Sequence, residues 1–241
     1  MLTTRIETVA ETASTNADLK ARVLNGDGQA GLWLRAEKQS GGVGRLGRKW
    51  ESPKGNLYCS TMIEIAPDDP PPHTLSFVVS LAVHEMLKSQ LMGDTPILLK
   101  WPNDVLVENA KICGILLERV GNFIVVGIGV NVVFAPNIGE RATISIQDVN
   151  DQNANDAAAV LGFLVEPMEN WLQQWRSKGL AHILEQWTKR AHPVGSIVTT
   201  STADGSKLSG QFSGLKDDGA LCLRKPDGAL IEIHAGDIEI G

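Results

Sequence analysis

Between Ile97 and Val132 the chain runs ILLK-WPN-DVLV-ENA-KICGILLE-RVGN-FIVVGIGVNV, four apolar, β-rich segments with only three or four residues between neighbours. Connections this short close hairpins, because a parallel return needs roughly a dozen residues or more. The central sheet is therefore predicted to be largely antiparallel. GLWLRA (31–36) reads as a further strand, and NLYCSTMIEI (56–65) alternates Leu57, Cys59, Thr61, Ile63 and Ile65 on one face. Helical periodicity appears over 74–91, 156–177 and 179–191, and Ser14-Thr15-Asn16 is placed to cap a helix over ADLKARVL. The tryptophans at helical spacing, Trp171, Trp175 and Trp187, read as core.

His192-Pro193 marks a boundary. Beyond it, short β runs alternate with Asp-Gly turns at 204–205, 218–219 and 227–228. The expected organisation is an α+β domain over 1–192, a mixed and largely antiparallel sheet flanked by helices. A small barrel of about five strands follows over 193–241.

The composition closes off several function classes. A net charge of −6 argues against a general nucleic-acid binder. No apolar run is long enough to predict a transmembrane helix, and the N-terminus lacks the basic-then-apolar pattern of a signal peptide. Cys59, Cys113 and Cys222 form no C-x-x-C motif, and the five histidines show no metal-ligand spacing. A cytoplasmic protein without a structural metal is expected.

Ser40 to Trp50, SGGVGRLGRKW, contains the spacing G-x-G-x-x-G at Gly42, Gly44 and Gly47. A dinucleotide site needs a helix directly after such a turn and a parallel sheet around it. Pro53 and Gly55 interrupt any helix here, and the hairpins downstream exclude the parallel sheet. From Lys38 to Lys54 there are nevertheless five cations against one acid, a local +4. That pattern suits either a solvated surface turn or a loop whose N–H groups and arginines hold an anion.

Other residues point to a ligand. Lys100 closes the apolar strand ILLK, where an ammonium is costly unless it meets an anion. Gly127 and Gly129 weaken a strand unless something lies close to its backbone. Asn131 supplies a neutral donor and acceptor at that strand's end.

Taken in order, STN (14–16), AEKQSGGVGRLGRKW (36–50), KWPNDVLV (100–107), KICGILLE (111–118) and GIGVNV (127–132) resemble the biotin protein ligases. The segment after residue 193 resembles that family's SH3-like C-terminal domain. The resemblance implies a two-step reaction: biotin and ATP give biotinyl-adenylate and pyrophosphate, then a lysine of a biotin carboxyl carrier domain of a biotin-dependent carboxylase takes the biotinyl group. It implies a biotin site of Ser14, Thr15, Asn16, Gln39, Gly42, Gly44, Gly114, Gly127 and Gly129, with Arg45 and Lys100 at the carboxylate. It implies an ATP site of Arg45, Arg48, Trp50, Lys100, Lys111 and Asn131, with Mg²⁺ accompanying ATP. Lys100 and Arg45 are the expected catalytic residues, Lys100 lying between the biotin carboxylate and the α-phosphate.

The family loop usually reads GRGRxGR, and Val43 stands at its first arginine. The STN motif begins at residue 14, so no N-terminal DNA-binding domain, and no DNA partner, is expected. An exposed sheet edge offers a place for homodimer formation or for strand pairing by the acceptor. Rival readings are a lipoate or octanoate ligase of related fold, and a non-catalytic binder of biotin or its adenylate.

Overall fold

The computed structural model describes residues 4–138, 142–150, 156–201 and 207–240. In chain order the elements are β1 (Arg5–Val9), α1 (Thr15–Leu24), β2 (Leu32–Ala36), β3 (Leu57–Glu64), α2 (Leu75–Gln90), β4 (Ile97–Lys100), β5 (Asp104–Val107), β6 (Ala110–Val120) and β7 (Phe123–Val130). There follow α3 (Ile146–Val149), α4 (Ala157–Thr188), β8 (Ile197–Ser201), β9 (Lys207–Leu215), β10 (Leu221–Arg224), β11 (Leu230–Ile233) and β12 (Ile238–Ile240). The Asp204-Gly205 turn and most of the polar stretch 149–156 lie outside the described residues.

The four segments with short connections are β4 to β7, and each pairs antiparallel with the next. The seven-stranded sheet has the order β1-β2-β3-β7-β6-β5-β4. Its single parallel pair, β1 with β2, is joined through α1, a connection long enough to return in parallel.

Side chains alternate across the strands, so the two faces of the sheet differ. Ile124, Val126, Ile128 and Val130 of β7 enter the main core, together with the buried residues of α2 and α4. Three tryptophans of α4 combine apolar burial with an indole N–H that finds a partner on or beside α2. Trp175 donates to Thr74 Oγ1 (2.9 Å), Trp187 to Ser80 Oγ (3.0 Å) and Trp171 to Glu85 Oε2 (2.8 Å). Gly179, with φ of 78°, breaks α4 where the periodicity changes phase.

On the opposite face α1 covers one end through Leu19, packed on Leu34, Met62 and Val125. The rest of that face is left for the site described below.

The second sheet is five-stranded and antiparallel, in the order β11-β10-β9-β8-β12. Its Asp218-Gly219 turn docks on the first sheet: Trp101 Nε1 donates to Gly219 O at 3.1 Å. Gly219 has φ of 88°, and a Cβ there would lie 2.6 Å from the Phe77 ring, so the turn requires glycine twice over. Among the described residues no helix is long and apolar enough to cross a membrane.

Asn56 closes the exit of β7. Its Oδ1 accepts from the N–H groups of Val132, Val133 and Phe134 at 2.9, 3.0 and 3.0 Å, and its Nδ2 donates to Phe134 O at 2.7 Å. Asn56→Ala strands several buried donors at once. It is expected to cost roughly 3 kcal/mol or more, seen in urea unfolding as a lower midpoint with an unchanged slope.

Two buried histidines link stability to pH. Burial pushes His84 down to about 4, with help from Arg190 and Lys88. Burial and the nearby Lys100 push His192 down to about 4. Unfolded, both titrate near 6.5. Between these values the unfolded chain binds more protons, so their contribution is present above pH 6.5 and is lost as pH falls through about 4. Replacing both with Gln is expected to shrink the loss of urea midpoint between about pH 7 and about pH 4.5.

Candidate active site

A cavity of about 390 Å³ opens on the sheet face that α1 leaves uncovered. Its floor is β3, β6 and β7, its end wall is the start of α1, and its roof is the glycine-rich segment. The floor is nearly bare backbone. Gly114 of β6 pairs directly with Gly129 of β7, and Gly127 lies one cavity-facing position further along.

The missing side chains make seats for groups from elsewhere. A Cβ on Gly127 would lie 2.5 Å from Asn16 Oδ1. One on Gly129 would lie 2.6 Å from Trp50 Cε2, and one on Gly114 would lie 2.8 Å from Trp50 Cζ3. All three distances are closer than real Cβ contacts, so each glycine is required by the group above it. Trp50 thus lies across Gly114 and Gly129, and its buried Nε1 has no hydrogen-bond partner among the described residues.

The end beside α1 is neutral and densely bonded. The Thr15 backbone N–H donates to Gln39 Oε1 at 2.9 Å, and that oxygen also lies 3.2 Å from Thr15 Oγ. Gln39 Nε2 donates to Ser52 Oγ (3.1 Å), which donates to Trp50 O (3.0 Å). Behind Thr15, its hydroxyl lies 2.6 Å from Ser60 Oγ, and Ser60 donates to Asn16 Oδ1 at 2.6 Å. Asn16 Nδ2 donates to Glu118 Oε2 at 2.9 Å, and Glu118 pairs with Lys20 at 2.5 Å. Ser14 lines the cavity while accepting from Ala17 N as the cap of α1.

The other end is cationic. Lys111 sits over the Trp50 ring at 5.4 Å and pairs with Asp104 at 2.6 Å. Asn131 Nδ2 donates to Lys111 O (3.3 Å) and Ile144 O (3.1 Å), fixing the strand that carries this lysine. Arg45 donates to Asn103 Oδ1 (3.0 Å), Gly236 O (3.2 Å) and Asp237 Oδ1 (3.3 Å), and Arg48 pairs with the same Asp237. Two loop cations are thereby held by a carboxylate of the C-terminal sheet's last turn.

The loop is a hairpin, closed by Trp50 N to Gly42 O (2.9 Å) and Gly44 N to Arg48 O (2.7 Å), with a tight turn at Arg45–Gly47. No helix follows it, so the dinucleotide reading fails on geometry. Gly42 is outside the cavity lining: a Cβ there would meet Trp50 O at 2.5 Å, and its smallness serves the hairpin. Val43 and Gly44 do line the cavity.

Two of the expected residues, Lys100 and Asn16, sit differently from the rest. Lys100 is absent from the cavity lining, whereas Lys111 belongs to it. Lys100 shares a face with Asp104, its partner across the β4–β5 hairpin, but it stands on the outermost strand near His192. Lys111 comes from β6, a strand of the floor, and pairs with the same Asp104. Asn16 lines the cavity, but both heads of its carboxamide are engaged within the protein, so it stands behind Thr15 as a strut.

Ser60, Ser52, Glu118 and Asp237 were not among the expected site residues. Glu118 ends the KICGILLE segment, which is the one sequence signal for any of them. Burial pushes the thiol of Cys59, which lines the cavity, far above its ordinary range, and does the same for Cys113 in the core. Neither is poised as a nucleophile.

Residues 9–134 match the model of the Biotin/lipoate A/B protein ligase family, and residues 194–241 match the Biotin protein ligase C terminal domain. The chain is 34% identical to a biotin–[acetyl-CoA-carboxylase] ligase of Paracoccus denitrificans, covering 97% of this chain and 99% of the relative. It is 32% identical to the ligase of that name from Mycobacterium tuberculosis, covering 97% and 88%. Among solved structures it resembles a biotin protein ligase from Aquifex aeolicus in complex with biotin and ATP. That likeness has a TM-score of 0.85 and 26% identity, with 98% of each chain covered.

The seat of Trp50 is testable through stability. Gly129→Ala is expected to cost about 1–3 kcal/mol by overpacking against the indole. In a Trp50→Ala background, urea unfolding should show most of that cost gone.

Proposed function

The chain belongs to the Biotin/lipoate A/B protein ligase family, and we propose that its cavity activates biotin with ATP and passes it to a protein lysine. The observation that carries this reading is one cavity with two chemically distinct ends. The neutral end, Thr15 and Gln39, suits a cyclic urea, whereas Lys111, Arg45 and Arg48 suit a carboxylate meeting phosphates. The product is biotinyl-adenylate with release of pyrophosphate. A lysine amine of the acceptor then attacks the acyl carbon, and AMP leaves.

Bringing a carboxylate to a phosphate joins two anions, so a cation must stand between them. Lys111 takes the role expected of Lys100: it lies on the floor, beside Gly114, with its ammonium already facing a carboxylate. Arg45 and Arg48 serve the phosphate oxygens once Asp237 releases them. Trp50 and the loop exclude water that would hydrolyse the adenylate. Thr15 and Gln39 bind the urea, with Ser14 at its edge, and Gly114 and Gly129 let the ring system approach the sheet. Asn131 acts by holding Lys111.

Mg²⁺ accompanies ATP in this reading. Among the described residues no group of three or more His, Cys, Asp or Glu side chains could hold a metal ion. An ion carried on phosphates needs only one or two carboxylates, which Asp104 and Asp237 would supply.

The acceptor is the carrier domain of a biotin-dependent carboxylase, supported by the names of the relatives. The sheet edge at β4 is already paired, Leu99 N donating to Arg190 O at 2.8 Å. This leaves β1 as the edge for an acceptor strand or a second copy.

The test is ATP–pyrophosphate exchange with biotin, lipoate or octanoate as sole acid. Exchange is expected with biotin alone, and exchange with lipoate or octanoate instead would move the chain to the sister activity. Lys111→Ala should slow it about 10²–10³-fold, and Lys100→Ala far less. The reverse order would return Lys100 to the reaction centre.

A further inference from the structure

The bonds behind Thr15 form a chain with a direction. It begins at Glu118, whose carboxylate oxygens only accept. One accepts from Lys20 and the other from Asn16 Nδ2 at 2.9 Å. That contact fixes the carboxamide of Asn16, turning its oxygen to Ser60, so the single proton of Ser60 is spent on Asn16 Oδ1 at 2.6 Å. The 2.6 Å contact between Ser60 and Thr15 then has one consistent polarity: Thr15 donates.

The consequence lies at the cavity. With its proton committed to Ser60, Thr15 Oγ presents only lone pairs. Gln39 Oε1, 3.2 Å away, is also an acceptor, because it faces the Thr15 backbone N–H and its Nε2 is given to Ser52. Two acceptors lie side by side with no proton between them, a receptor for a ligand N–H. A dithiolane or alkyl chain has no such proton. A site built for a donor rejects a ligand that lacks it far more strongly than an apolar slot does.

We propose that Glu118 and Ser60 are positioning residues that set this polarity, and through it the preference for a cyclic urea. The proposal rests on the biotin reading above.

Reversing the chain is possible at Glu118. In Glu118→Gln the new amide turns its oxygen to Lys20, which has no acceptor, and its NH₂ to Asn16. Asn16 must flip, Ser60 then accepts from Asn16 and donates to Thr15, and the freed Thr15 proton falls onto Gln39 Oε1. The pair is quenched before any ligand arrives. Ser60→Ala reaches the same end by removing the acceptor of that proton.

The experiment is calorimetric titration of biotin into the full chain in four forms: unmodified, Glu118→Gln, Ser60→Ala and the double variant. Ligand-free urea unfolding checks that each is folded. Each single change is expected to weaken biotin about tenfold or more. In the Ser60→Ala background, Glu118→Gln should add less than about twofold. A role confined to holding the fold would give losses that multiply, and multiplying losses, or none, would overturn the proposal. An unmodified chain that binds no biotin would instead remove the ligand reading on which the proposal stands.

Discussion

The site depends on one constraint: the middle of the sheet carries no side chains on one face. Gly114, Gly127 and Gly129 leave bare backbone where a packed sheet would place three side chains, and such a gap must be filled or stay costly. Asn16 and Trp50 fill it from two sides. Asn16 comes from a short helix fixed by its own cap, whereas Trp50 hangs from a hairpin whose tip is exposed. The two seats therefore differ in kind. The first is built into the fold by a chain of buried hydrogen bonds. The second is held by packing and one cation–π contact, and its indole N–H has no partner among the described residues, so the indole can move without breaking a hydrogen bond to them.

Electrostatics divides in the same way. At the neutral end the carboxylate behind Asn16, Glu118, is paired with Lys20. At the other end the cations are already compensated: Lys111 by Asp104, Arg45 and Arg48 by Asp237. Unpaired, these cations would repel one another across a small cavity with little solvent. The carboxylates remove that strain in the ligand-free protein, and anionic ligands must then compete with them. The carboxylate that holds Arg45 and Arg48 belongs to the last turn of the second sheet, so the loop is tied to that sheet.

Much of this was legible because short connections allow few topologies. The hairpins from Ile97 to Val132, the break in α4 at Gly179 and the two-sheet division all follow from spacing and periodicity. Which lysine faces the cavity was not legible. Lys100 and Lys111 both flank apolar strands and both reach Asp104's neighbourhood. Only strand order, with β4 outermost and β6 in the floor, separates them. The parallel strand β1 escaped because its exposed alternation carries little apolar signal. Ser60 and Asp237 escaped for another reason: each acts on a residue distant in sequence, Asn16 and Arg45, so no local motif announces it.

The same geometry bears on Val43. A cation at that position would add to Arg45, Arg48, Lys49 and Lys111, which already line the cavity. One carboxylate, Asp237, compensates both Arg45 and Arg48. A third loop arginine would add to that positive charge, raising the repulsion that the closed hairpin must withstand. Valine removes that repulsion along with some attraction for phosphate. The hairpin itself does not need the side chain, since residues 42, 44, 48 and 50 close it through backbone bonds alone. Closure of the loop thus rests on its backbone, with Trp50 N donating to Gly42 O and Gly44 N to Arg48 O, and asks nothing of the side chain at 43.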